Sequence, residues 1–333
     1  MPLKLRCRVA VALALLVSAF AMTIGPTRAA DSPRLDFAGS VTWLGQVPIL
    51  VAIEKGFFKE QGIDVQVQVI LNSADRVRAI AAGSAAFSNL GRTAIISEMA
   101  RGDDSFVFFG NVDDSPGQEG CWARPGIQTL KDLRGKGVAA NGSSEVTLMG
   151  LLAEQGMTLA DLDYRSLQGT EMAPALAHGD IQAACVWQPL LARLQQAVPD
   201  GKMLGLDKDT AIFKKFGTMA SPDVLIISRK LVQTQPAQAR AIAVGTLKGA
   251  DYTIAHLEEA AAAVAGYFHQ TQEQMLPQIR GFSYFGTAGW PAHMQTHQAQ
   301  MQYLAQLLFD AKRIPSLPQT ARWADTSFIP KPR

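Results

Sequence analysis

The segment Asp64-Val65-Gln66-Val67-Gln68-Val69-Ile70-Leu71 places Val65, Val67 and Val69 at every second position. That period of two is a strand pattern, and the stretches on either side of it read as helices. Upstream, a strand at 35–44 leads into a helix that Pro48 opens and that runs to Glu54, where Gly56-Phe57-Phe58 ends it. Proline is tolerated there because the first-turn N–H has no intrahelical partner. Downstream come a helix at 74–82 stopped by Gly83, a short strand at 86–89, and a helix entered through Gly91-Arg92-Thr93 and ending near Gly102. The apolar run Phe106-Val107-Phe108-Phe109 is the next strand. Strands and helices that alternate in this way build a parallel, doubly wound sheet.

A second series begins after the turn cluster Asp113-Asp114-Ser115-Pro116-Gly117. Segments at 130–133, 138–140, 147–154, 164–167, 172–177 and 181–187 alternate helix and strand again. After another irregular stretch at 217–222 comes a single apolar strand, 224–227, followed only by helices. In the first of these, Ala239, Ile242, Ala243, Thr246, Leu247 and Ala250 fall on one face. A lone strand cannot make a sheet, so it is expected to return to the first one. The expected architecture is α/β with two lobes, each a mostly parallel sheet flanked by helices, and a cleft between them. Residues 30–113 and 220–333 form lobe I, and 114–219 form lobe II.

Residues 1–29 read as a secretory signal peptide. Lys4, Arg6 and Arg8 precede an apolar stretch at 9–22, and small residues mark a cleavage region near Ala29/Ala30. The stretch is shorter than the roughly 20 residues a membrane helix needs. Removing Lys4, Arg6, Arg8 and Arg28 from a net charge of +2 leaves −2, which excludes a strongly basic nucleic-acid binder. The expected product is exported to the periplasm. Cys121 and Cys185 then remain; an oxidising compartment permits a bridge, but the apolar run around Cys185 suits a buried free thiol better.

Catalytic signatures are absent: no G-x-S-x-G, Walker loop, G-x-G-x-x-G or C-x-x-C occurs. His293 and His297 stand four apart, but Met294 occupies the place of the glutamate in H-E-x-x-H, so an exposed polar helix face is expected rather than a metal site. No cofactor is implied, and the chemistry reads as binding.

Several segments resemble the periplasmic solute-binding proteins of ABC importers for taurine, alkanesulfonates and nitrate. They are Glu54-Lys55-Gly56-Phe57-Phe58, the run GSAAFSNLGRT at 83–93, Leu130-Lys131-Asp132-Leu133-Arg134-Gly135-Lys136, Ala177-His178-Gly179-Asp180-Ile181, Val186-Trp187-Gln188-Pro189 and Ser221-Pro222-Asp223-Val224. The taurine-binding members are the most similar. The resemblance implies the type II periplasmic-binding-protein fold, a monomer that closes its lobes on a small solute, and a membrane permease with its cytoplasmic ATPase as partners.

Site residues follow from the residues and the resemblance together. Asn89, Gly91, Arg92 and Thr93 surround one helix start beyond a strand, and Ser143 and Ser144 surround another. Helix N-termini attract anions, although Ser, Asn and Thr are also ordinary caps. Asp223 matches the aspartate that the resemblance places on a solute ammonium; a hinge role is the alternative. Trp187 reads as a cleft wall or as core, and Trp43 and Gln46 lie at the end of the first strand. Glu145 either faces the cleft, where it favours a cationic group, or simply complements the helix dipole. Arg92 either balances these acids or points to solvent. Taurine or a related aminosulfonate is the expected solute. The alternatives are a small cationic amine, or an enzyme like those of thiamine-pyrimidine synthesis, which a signal peptide disfavours.

Overall fold

In the computed structural model, residues 32–330 are described, so the expected leader at 1–29 lies outside the described residues. The first series contains β1 (Arg34–Gly39), α1 (Val47–Glu54), β2 (Asp64–Val69), α2 (Ser73–Ala81), β3 (Phe87–Gly91), α3 (Arg92–Ala100) and β4 (Phe106–Gly110). Strand β1 stops at Gly39 instead of continuing to 44. Val41 adopts a left-handed φ of 47°, and the chain bends into a short 3-10 turn at Leu44–Gln46.

The second series contains β5 (Glu119–Ala123), β6 (Gly137–Ala140), α4 (Ser143–Ala153), β7 (Asp163–Ser166), α5 (Gly169–His178), β8 (Ala183–Trp187), α6 (Leu190–Ala197), β9 (Lys202–Leu206) and α7 (Ala211–Phe216). The chain returns through β10 (Asp223–Ser228) and finishes with α8 (Arg229–Thr234), α9 (Pro236–Ala255), α10 (Leu257–Val264), α11 (Gln272–Arg280) and α12 (Trp290–Asp310).

These strands form two five-stranded sheets, ordered β2-β1-β3-β10-β4 and β7-β6-β8-β5-β9. Each sheet is mixed in the same way. In the first, β10 runs antiparallel to both neighbours, β3 and β4. In the second, β5 runs antiparallel to β8 and β9. The strand that arrives from the other series therefore takes the fourth place in each sheet. β10 does return to the first sheet, as the lone strand required. Strands β5 and β9 carry no clean alternation and were not anticipated from the pattern.

The expected buried face of α9 is buried, and it packs on α1. The approach is close enough that a Cβ on Gly249 would collide with the Pro48 carbonyl. Ile242 and Leu247 are withdrawn from water in this packing, each worth about 1.5–3 kcal/mol.

Two expectations are corrected here. Cys121 and Cys185 are joined in a disulfide, because antiparallel β5–β8 pairing sets them directly opposite each other. His297 lies in the interior rather than on an exposed helix face, with burial pushing its pKa down to about 2. His293 is half-buried against Phe285. Among the described residues, no helix is long and apolar enough to cross a membrane.

Candidate functional site

A cleft lies where the C-terminal ends of the parallel strands of both sheets meet. Its walls include the starts of α2 (Asn72 and Ser73), α3 (Gly91), α4 (Gly142 and Ser143) and α5 (Gln168 and Gly169). Open α/β sheets present ligand sites at such strand ends. Helices α3 and α4 begin at Gly91 and Gly142, which offer no side chain to cap the first N–H groups. At α4 the Ser144 N–H is taken by the Asn141 carbonyl at 3.2 Å, and the other first-turn donors are open to an anion.

The cleft is closed across its width. A Cβ built on Gly91 would lie 3.6 Å from Ser143 Cβ, and Trp187 Nε1 donates to the Thr42 carbonyl at 3.1 Å. Behind it, the two crossings run side by side, with Asp114 Oδ1 accepting the Met219 N–H at 2.9 Å.

Three ionisable side chains line the cleft: Asp223, Glu119 and Arg76. The acids occupy equivalent places. Asp223 opens β10 opposite Gly91, the last residue of β3; Glu119 opens β5 opposite Trp187, the last residue of β8. Ser143 Oγ donates to Glu119 Oε2 at 2.8 Å, and Thr147 Oγ1 donates to Oε1. Burial, reinforced by the Asp207 charge, raises the Glu119 pKa to about 8 against these hydroxyls. Burial raises Asp223 to about 6, and the positive charges of Arg76 and Arg92 oppose the rise. Arg76 reaches in from α2, donating Nη1 to the Asn89 carbonyl at 2.8 Å and Nη2 to Ser73 Oγ at 2.7 Å.

Of the residues singled out from the sequence, Trp43, Gly91, Ser143, Trp187 and Asp223 lie on the cleft wall. Gln46 does not; it is fully buried, accepting from Val41 N and donating to the Asn89 carbonyl at 2.9 Å, and so braces the loop after β1. Asn89 is buried within β3. Arg92 points neither into the cleft nor to solvent. Its guanidinium is buried against α12, donating to Gln300 Oε1 at 2.5 Å and to the His297 carbonyl at 3.3 Å. Thr93 is half-buried in the first turn of α3, off the wall. Ser144 Oγ donates to the Asn141 carbonyl at 2.8 Å and accepts from its N–H, a local cap. Glu145 faces away from the cleft, accepting from Tyr164 Oη at 2.5 Å and from Arg313 Nε at 2.8 Å.

Sequence reasoning missed Glu119 and Arg76. A signal for Glu119 exists: each turn cluster that carries the chain between sheets is followed within two residues by an acid, Glu119 after 113–117 and Asp223 after 217–222. Among the described residues, no group of three or more His, Cys, Asp or Glu side chains is placed to hold a metal ion.

A family model described as "NMT1/THI5 like" matches residues 44–260, a span that includes both acids, Arg76 and the four helix starts. The chain belongs to the NMT1/THI5-like family. It is similar to a putative binding protein of Brucella abortus, 26% identical over 255 residues that cover 76% of this chain and 77% of the relative. The taurine-binding periplasmic protein of Escherichia coli is 26% identical over 193 residues, 56% of this chain and 57% of that one. Among solved structures, the alkanesulfonate-binding protein SsuA of Xanthomonas axonopodis pv. citri, bound to MOPS, superposes with a TM-score of 0.74 at 15% identity. That superposition covers 89% of this chain and 99% of SsuA. This NMT1/THI5-like chain thus has the two-lobed periplasmic-binding-protein fold.

Proposed function

We propose that this protein is the solute-binding component of an ABC importer and that its solute is a small zwitterion of the taurine class, an ammonium and a sulfonate on a short carbon chain. The observation that carries this reading is the pair Asp223 and Glu119, one acid from each sheet, in one closed cleft with the uncapped helix starts at Gly91 and Gly142. An ammonium between the two carboxylates makes charge-assisted hydrogen bonds to both lobes. The sulfonate, at the other end of the short chain, accepts from N–H donors of the cleft wall. Closure excludes water and gives a membrane permease one shape to recognise. The relatives that bind taurine and sulfonates support this solute class, and the basic, apolar start of the chain supports export to the periplasm.

Calorimetric titration with taurine, ethanesulfonate and ethylamine tests the reading. Taurine is expected to bind more tightly than either fragment. A chain that binds ethanesulfonate as tightly as taurine has no use for its two acids and overturns the assignment. A second reading, a cationic amine, draws on the excess of acids over Arg76 in the cleft; ethylamine binding at least as tightly as taurine would favour it.

A further inference from the structure

Two arginines are buried close to the cleft, and they differ in what their charge meets. Arg92 is turned to α12, with its donors placed on Gln300 and His297. Arg76 is only 4% exposed, yet it forms part of the cleft wall. A guanidinium carries five N–H donors in a rigid plane. Arg76 places one on the Asn89 carbonyl and one on Ser73 Oγ, and its Nε has no partner. Those two bonds tie the plane to β3 and to the first residue of α2, so its orientation is fixed before any solute arrives.

Among the described residues, no carboxylate forms an ion pair with Arg76; the Asp223 charge acts on it only at longer range. Burial accordingly lowers its pKa to about 10, still well above neutrality, so the charge persists. A buried cation without a hydrogen-bonded counter-ion is costly, and an arriving anion removes the cost. The start of α2 is itself capped, Asn72 Oδ1 accepting from the Ala74 and Asp75 N–H groups at 2.9 and 3.3 Å, so the pull on a negative group comes from the guanidinium.

We propose that Arg76 is the subsite for the solute's anionic group, and that it makes the cleft discriminate a zwitterion from a simple amine. The proposal rests on the reading that the cleft binds a small zwitterion, and it assigns the two poles: the ammonium to Asp223 and Glu119, the sulfonate or carboxylate to Arg76. A planar fork of donors fits two oxygens of such a group at once.

The test is calorimetric titration of the wild type, Arg76→Met and Arg76→Lys with taurine, with 2-aminoethanol (the same amine without the anion) and with ethanesulfonate (the anion without the amine). Arg76→Met is expected to weaken taurine by about 100-fold, as for truncation of one member of a buried charge pair, while leaving 2-aminoethanol within about 3-fold. Arg76→Lys, which keeps the charge and loses the fork, is expected to recover about 10-fold of the loss. Equal weakening of taurine and 2-aminoethanol by Arg76→Met would mark Arg76 as a brace between β3 and α2 and overturn the proposal. A wild type that binds ethanesulfonate but not taurine, with Arg76→Met abolishing that binding, would sink the zwitterion reading and leave the Arg76 subsite standing. A wild type that binds 2-aminoethanol but neither anion-bearing probe would sink the Arg76 subsite.

Discussion

Asp223 and Glu119 belong to different sheets, so one ammonium held by both carboxylates ties the two lobes together. Asp223→Asn and Glu119→Gln are each expected to cost an amine-bearing solute about 2–4 kcal/mol of binding free energy. The double substitution should cost less than the two singly, because both act on one group. Titration calorimetry with taurine checks this, with ethanesulfonate as the control that should not weaken.

The raised pKa values of these acids set a pH dependence with a definite sign. Glu119 and Asp223 hold their protons more tightly in the folded, solute-free protein than in an unfolded chain, titrating near 8 and near 6. That contribution to stability is fully present below the ordinary carboxyl range and is lost as pH rises through those values. Asp114 (about 6) and Asp207 (about 7) act in the same direction. A solute ammonium needs the ionised form, so its affinity should rise with pH up to about 8. Near neutrality its binding should release protons from Glu119. Titrations in buffers of different ionisation enthalpy read that release, and Glu119→Gln should abolish most of it.

Gly91 has a φ of −61°, so a side chain there meets no backbone strain. What it meets is Ser143, 3.6 Å from the added Cβ, and Asp223 Oδ1 at 3.7 Å. Gly91→Ala should therefore be tolerated, whereas Gly91→Leu should hold the lobes apart. The leucine variant is expected to bind solute at least about 10-fold more weakly, with its unfolding temperature in the absence of solute nearly unchanged. Small-angle scattering should show that added solute no longer makes it more compact.

Glu145 offers the matching negative control. Its carboxylate is engaged by Arg313 and Tyr164, and the Arg313 side chain is 42% exposed. Solvent screening limits such a pair to about 0.2–1 kcal/mol. Glu145→Gln should shift the unfolding temperature slightly and leave the ranking of taurine, ethanesulfonate and ethylamine unchanged.

The Cys121–Cys185 bridge closes a span of 64 residues. Chain-entropy arguments put its contribution at about 4 kcal/mol, which is an upper figure since β5 and β8 already hold the two residues together. Thermal unfolding with and without reductant, and with Cys121→Ala, should show a large loss of stability. Taurine affinity of the folded protein should change little, because the bridge lies in the second sheet, off the cleft wall.

Much of the fold is legible in local pattern. The valines of β2, the apolar run of β4 and the small-residue face of α9 each carry their own period, and the isolation of β10 forces it back to the first sheet. Strands β5 and β9 escape because Glu-Gly-Cys-Trp-Ala at 119–123 and Lys-Met-Leu-Gly-Leu at 202–206 follow no alternation; position in the sheet, not pattern, makes them strands. The cleft is legible at Gly91, Ser143, Trp187 and Asp223, since strand ends and helix starts point to it. Side-chain direction is not. Arg92 and Arg76 look alike in a sequence, and only the packing of α12 on α3 draws one of them away. Glu119 was hidden with the strand that carries it.

The insertion of β10 between β3 and β4 also has a consequence in time. The entire second sheet is synthesised before the first can be completed. Strands β6, β7 and β8 find their partners soon after they emerge, while the edges of β3 and β4 wait unpaired until the chain has passed Ser228. Long-range pairing of this kind is slow, and open strand edges invite the wrong neighbours. The nascent chain therefore has one half finished early and the other exposed until late. A truncation just before β10 would not give half a protein; it would leave one closed sheet attached to one still seeking a strand.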